Sequence, residues 1–270
     1  MERKTLHTLK FFFILTALLL VFAVNVSNSF AEFYVIAGSR GAGTEIKALP
    51  YTISSSGFYY VTKDLTCQSK IEHGITITAD NVTLDLMGFS LIGPGGKGTY
   101  DGIYMNGQSN VEIRNGTVRN FRRHGIHEFN TAGTSHRTIN IRARGNGYRG
   151  ISLLGKGNLV ERCAAVGNGY YGIYTGIGST VTGNICYDNV NNGIHTNNGS
   201  TITGNTCYSN SGRGISAASG STVTNNTCYD NDYGIYLSGV NLVDQNTCSS
   251  NSTNMNSYSS CVYGDNCAPE

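Results

Sequence analysis

The chain is built from short alternating runs. Gly74-Ile-Thr-Ile77, Gly102-Ile-Tyr-Met105 and Gly150-Ile-Ser-Leu153 each place apolar side chains two residues apart, with a polar or aromatic one between them. A period of two is that of a strand with one buried face, and the intervening Gly, Asn, Asp and Ser supply turns. In one register the Gly-Ile pair recurs eight times, at Gly74, Gly102, Gly125, Gly150, Gly172, Gly193, Gly214 and Gly234, at steps of 28, 23, 25, 22, 21, 21 and 20 residues. A unit of about 20 residues cannot bury its own apolar face and must stack on its neighbours. The pattern predicts an all-β solenoid with the eight Ile in one buried column.

A second register agrees. Val181-Thr-Gly-Asn184-Ile-Cys186-Tyr187, Ile202-Thr-Gly-Asn205-Thr-Cys207-Tyr208 and Val223-Thr-Asn-Asn226-Thr-Cys228-Tyr229 repeat one motif, with a fourth, worn copy at Val243 to Ser249. Each coil therefore carries at least two strands. A leucine-rich horseshoe would need several Leu per unit, so a parallel β-helix fits better. Coils stack roughly 4.8 Å apart, which places each side chain on its own equivalent. Asn184, Asn205, Asn226 and Asn246 then form one ladder and Asn189, Asn210, Asn231 and Asn251 another, with the left-handed geometry that Asn tolerates making the corners. Cys163, Cys186, Cys207, Cys228 and Cys248 are expected as one inward column of reduced thiols, since parallel side chains make poor bridge geometry. Cys261 and Cys267 are expected to pair, and Cys67 has no evident mate.

Residues 74–93 together with Asn110-Val-Glu-Ile-Arg-Asn-Gly-Thr-Val118 resemble the opening coils of bacterial right-handed parallel β-helix repeat proteins of the pectate-lyase-like superfamily. That group includes the copper-binding accessory proteins of nitrous-oxide reductase and the mannuronan epimerases. The resemblance spans roughly 51–250 and implies a single-stranded right-handed parallel β-helix. It implies no activity, because the catalytic signatures of pectate lyases, polygalacturonases and mannuronan epimerases are all missing from the sequence.

Around this solenoid, four segments are expected: a signal peptide over 1–31, an N-terminal cap over 32–73, the β-helix over 74–250, and a C-terminal cap or tail over 251–270. Arg3, Lys4 and Lys10 precede an apolar run from Phe11 to Val24, closed by Ser29-Phe30-Ala31, a small-x-small cleavage pattern. An uncleaved anchor is the other reading of this run. No later segment is apolar enough to span a bilayer, so a secreted, soluble monomer is expected.

Charge narrows the choice of ligand. Residues 112–162 hold ten Arg or Lys against three Glu, whereas from 163 onward one Arg faces six acids. Outside the cell such a basic surface suits an acidic polysaccharide, and nucleic acid is not expected. The residues flanking each Gly-Ile bring His73, Asp101, Tyr104, His124, His127 and Arg149 together. His124 or His127 would take a proton, Tyr104 would serve the leaving oxygen, and Asp101 would orient a histidine. His73, Arg123, Arg149, Tyr171 and Tyr174 would bind the sugar, with Arg149 on a carboxylate. Three functions stay open: polysaccharide binding, a lyase or uronate epimerase, and a structural envelope spacer. No cofactor or metal ligand set is read from the spacing, and no motif supports calcium. Two insertions, Gly93 to Tyr100 and Thr131 to Arg137, are expected to leave the stack as loops near this face.

Overall fold

The computed structural model describes residues 43–96, 98–256 and 261–264. The expected signal peptide, residues 32–42 of the expected cap, and Cys267 lie outside the described residues.

One strand per coil forms a ten-stranded parallel sheet, running from Tyr51–Ile53 through Ile75–Ile77, Ile103–Met105, Ile126–Glu128, Ile151–Leu153, Ile173–Thr175, Ile194–Thr196, Arg213–Ala217 and Tyr233–Leu237 to Thr253–Asn256. The remaining strands make a second parallel arrangement of eighteen. No described residue is helical, and the chain is a parallel β-helix of about nine turns. The eight Ile pair one on the next and are 0% exposed. Each contributes about 1.5–3 kcal/mol by burial. The ladder begins earlier than the Gly-Ile repeat, because Tyr51 pairs with Ile75 and Ile53 with Ile77. Part of the segment expected as a cap is thus itself a coil.

The glycine of the repeat is required by proximity. A Cβ on Gly150 would lie 2.7 Å from the Gly172 carbonyl oxygen, and one on Gly172 2.6 Å from that of Gly193. Glycine stacks on glycine and lets the coils close at this corner.

Polar ladders line the other corners. The Asn205 carboxamide oxygen accepts from the backbone N–H of Asn184 at 3.0 Å and from its side-chain amide at 2.9 Å, while the Asn205 amide donates to the Val181 carbonyl at 2.9 Å. The second ladder extends beyond its expected members to Asn168 and Asn146. The corner geometry differs from expectation. Left-handed φ belongs to the residue before each ladder Asn, namely Asp188, Ser209, Asp230 and Ser250 in one ladder and Gly183, Gly204, Asn225 and Gln245 in the other. The preceding residue makes the bend, which turns the Asn amide inward along the stack.

The cysteine column also needs correction. Cys186, Cys207, Cys228 and Cys248 stack in register, but the residue paired with Cys186 is Ala165. Cys163 instead heads the first Asn ladder: its N–H donates to the Asn184 oxygen at 2.8 Å, and its thiol meets the Thr138 carbonyl at 3.4 Å. The step of 23 residues from Cys163 to Cys186 is two longer than the next and shifts the register by one inward position. All five thiols are buried and unbridged. Burial pushes Cys163 up to about 12 and Cys207 well above the ordinary thiol range.

A third ladder, not read from the sequence, runs His136, Asn158, Ser179, Ser200, Ser221 and Asn241, each accepting a backbone N–H from the preceding coil. Its first member faces Glu128 inside the stack, with His136 Nε2 3.3 Å from Glu128 Oε2.

Candidate functional site

The outward positions of the ten-stranded sheet carry the chemistry. His127 pairs with Tyr104 and Ser152, and Tyr174 with Ser152 and His195, so the residue after each Gly-Ile forms one column. The residue before each Gly-Ile leans against it. At the N-terminal coils these two columns close into a packed cluster centred on Asp101, which is fully buried.

Asp101 Oδ2 lies 2.9 Å from His127 Nδ1, and Asp101 Oδ1 accepts the His124 backbone N–H at 2.9 Å. A carboxylate at that distance orients the His127 ring. The Asp101 N–H donates to His73 Nδ1 at 2.9 Å, and Arg123 Nη1 stands 4.0 Å from Asp101 Oδ2. Rings seal the cluster. His73 stacks on Tyr104 at 4.2 Å, His124 stacks on His127 at 4.0 Å, and Tyr100, Phe129 and Tyr148 meet these rings edge-on. His124 and His127 are only 1% and 2% exposed. Burial holds His124 far below the ordinary imidazole range, and the neighbouring His127, Arg123 and Arg149 push the same way. His124 Nδ1 is buried with no hydrogen-bond partner. One donor atom each from Asp101, His124 and His127 come within 4.8 Å of one another, a grouping able to hold a metal ion.

Arg149 belongs to a second assembly. Its guanidinium sits 4.3 Å from the Tyr174 ring centre, 5.2 Å from Tyr171, 5.3 Å from Tyr148 and 5.9 Å from Tyr170. Arg149 Nη1 donates to Ser152 Oγ at 3.2 Å, while its Nε has no partner. His195 stacks on Tyr171 and Tyr174 at 5.2 Å each and is lowered to about 4 by burial and by Arg149 and Arg213. The strip continues into a cleft of about 310 Å³ lined by Tyr171, Asn191, Asn192, Gly212, Arg213, Asp232 and Tyr233.

In sequence, residues 73–265 match the profile of NosD, described as a periplasmic copper-binding protein. The chain belongs to the NosD family. Among curated proteins nothing matches it. In structure this NosD-family chain is similar to the periplasmic alginate epimerase AlgG, with a TM-score of 0.61 at 15% identity over 80% of this chain and 70% of that one. It is also similar to the A-module of the Azotobacter vinelandii mannuronan C-5 epimerase AlgE4, with a TM-score of 0.56 at 14% identity over 86% and 82%. At such identities the likeness is one of fold.

The NosD-family chain divides the residues expected to act together. His73, Asp101, Tyr104, Arg123, His124 and His127 share the buried cluster, while Arg149, Tyr171 and Tyr174 form the cation–aromatic group, with Tyr148 touching both. Tyr148 and Tyr170, which sequence reasoning passed over, occupy equal places in Gly147-Tyr-Arg-Gly-Ile151 and Gly169-Tyr-Tyr-Gly-Ile173, and their rings stack at 4.8 Å. That shared Gly-Tyr-x-Gly-Ile phrase was the available signal. The two insertions also part company. Tyr100 ends the first and packs on His73, whereas the second turns His136 into the stack toward Glu128.

Proposed function

We propose that this protein binds an acidic polysaccharide laid across its coils, along the strip from Tyr104 through Arg149, Tyr171 and Tyr174 to the cleft at Arg213. The observation that carries this reading is Arg149 held among four tyrosine rings. Aromatic faces suit sugar rings, and a guanidinium suits a uronate carboxylate. Near-complete burial of His124 and His127 favours binding over turnover, since a polymer cannot reach rings sealed beneath Tyr104, Phe129 and Tyr148. The fold shared with AlgG and AlgE4 agrees with a polysaccharide ligand, and the word periplasmic in the NosD and AlgG descriptions agrees with a periplasmic or secreted location. The test is the affinity of the chain for polyuronates against neutral glucans at several salt concentrations. Preference for polyuronate that weakens as salt rises is expected, because exposed charges are screened within about 8 Å at physiological ionic strength. Equal affinity for both, or none for either, ends the reading, and unsaturated or epimerised uronate products would make the protein an enzyme.

The NosD family is described as copper-binding, and among the described residues the thiol stack and the Asp101 cluster hold donors for such an ion. The thiol stack fits poorly. Its members are buried inside the coils, Cys207 holds its proton firmly, and the stack forms no grouping of three donors among the described residues. The Asp101, His124 and His127 cluster fits, because imidazole and carboxylate donors suit copper(II) and one buried imidazole nitrogen lacks a partner. An ion held there would supply a fixed positive charge beneath the strip.

A further inference from the structure

We infer that the chain carries one carboxylate-and-sugar subsite twice, first at Arg149, Ser152, Tyr171 and Tyr174 and again at Arg213, Ser216, Tyr233 and Tyr236, and that a single polyuronate chain is gripped at both points. The inference rests on the glycan reading above and adds to it a second equivalent subsite, a spacing and a shortest ligand.

Arg149-Gly-Ile-Ser152 is followed one coil later by Tyr171-Gly-Ile-Tyr174, and Arg213-Gly-Ile-Ser216 is followed one coil later by Tyr233-Gly-Ile-Tyr236. The two places are built alike. Ser152 pairs with Tyr174, and Ser216 with Tyr236, across the ten-stranded sheet. Arg149 Nη1 donates to Ser152 Oγ at 3.2 Å, and Arg213 Nη1 donates to Ser216 Oγ at 3.3 Å. Each guanidinium then lies over the tyrosine of the next coil, 4.3 Å from the Tyr174 ring centre and 3.4 Å from that of Tyr236. Both serines are buried and both arginines half-buried, so each guanidinium is held from within and stays partly open to solvent. The coil between the two modules holds Asn192-Gly-Ile-His195 in the same positions.

The period of this pattern selects the ligand. Columns that serve the fold recur in every coil, as the Asn and Ser ladders do. The arginine module recurs at the third coil, a period that stacking does not require. Three coils rise about 14 Å at roughly 4.8 Å each, and one coil rise is close to the length of one sugar residue in an extended polymer. Carboxylates three residues apart along a polyuronate would therefore meet Arg149 and Arg213 together, and the shortest ligand to engage both has roughly four residues. Between the modules lies the cleft of about 310 Å³, bounded by Tyr171 of the first and by Arg213 and Tyr233 of the second. Gly212 and Asp232 stand there in the places where Tyr148 and Tyr170 crowd Arg149, which leaves room for a sugar ring. The Asp232 side chain at the cleft wall repels a carboxylate and accepts from sugar hydroxyls, so the acid groups of the ligand are kept at the two arginines.

The experiment titrates the full chain with oligomannuronates and oligogalacturonates of increasing length, from dimer to octamer, and reads affinity and stoichiometry. Dimers reach one module at a time and should bind weakly. Affinity should then step up, on the order of 10²-fold, once the ligand passes roughly four residues, because the second contact becomes intramolecular. Octamers should bind one per chain. Arg149→Met and Arg213→Met should each abolish the step while leaving weak dimer binding at the other module, and the double variant should lose both. A smooth rise of affinity with length, or octamer affinity that survives Arg213→Met, would overturn the two-point grip and leave a single glycan site at Arg149. No binding of any oligouronate would overturn the inference and the glycan reading together. Should an arginine variant fail to fold, the length series on the native chain decides the matter alone.

Discussion

The C-terminal coils and the N-terminal coils are built on one frame and spend it differently. From Ser179 onward the corner and core columns are nearly uniform, with Asn on Asn, Ser on Ser and Cys on Cys, and each ladder Asn or Ser accepts a backbone N–H from the coil before. Between His73 and Arg149 the positions that flank each Gly-Ile hold Asp, His, Tyr and Arg in no repeating order. In a solenoid, uniform columns mark places where each coil solves the same structural problem. A column that changes identity from coil to coil marks a place where it does something else.

The sharpest way to test that division is to damage one region and look for effects in the other. Asn205→Ala removes the acceptor for two donors of Asn184 and a donor to Val181, all buried. At about 1–3 kcal/mol for each group left unpaired, a loss above roughly 3 kcal/mol is expected by chemical denaturation, with glycan affinity intact while the chain is folded. Arg149→Met should do the reverse. A charge-assisted hydrogen bond contributes about 1.5–3 kcal/mol, so polyuronate affinity should fall at least tenfold, read by titration calorimetry, with little change in stability. If Arg149→Met unfolds the chain, or Asn205→Ala abolishes binding by a folded protein, the division fails.

Two finer tests probe its edges. Cys163 occupies the head of an Asn ladder, with its thiol near the Thr138 carbonyl just as the Asn184 amide meets the Val160 carbonyl. Cys163→Asn should therefore extend the ladder and stabilise the fold by about 1 kcal/mol in denaturant titration. Destabilisation would mean that this coil is not equivalent to those below it. The smallest effect is expected at His195, among Tyr171, Tyr174, Asn192, Arg149 and Arg213. Its folded value of about 4 lies below the ordinary 6.5, so the unfolded chain binds more protons between the two. Its contribution is complete above about pH 6.5 and is lost as pH falls toward 4. Melting temperatures across that window should fall less steeply in His195→Gln.

The solenoid was readable because Gly-Ile records two facts at once, an inward apolar position and a corner that admits no Cβ. The Cys163 register was not, because like residues at nearly constant spacing suggest one column whether or not the intervening strand is two residues longer. Membership of the polar strip could be read from columns, but its burial could not. His127 is covered by Phe129 from its own coil and Tyr104 from the coil before, and His124 by Tyr148 from the coil after, contacts that no period encodes. Glu128 was legible after all. It stands two residues beyond Ile126, at the inward position that Met105 and Leu153 fill in adjacent coils, and an acid there requires an internal partner.

The second Asn ladder has a direction and an end. Each member donates its backbone N–H forward to the next, and the last donor, Asn251, finds its acceptor in Asn254 of its own turn at 3.3 Å. The ladder is therefore closed by a local stop that does not depend on how many turns precede it. Duplicating the 21-residue unit upstream of that stop would lengthen the ladder without giving it a second open end, so the number of turns is set by how often the unit is repeated and not by how the ladder is closed.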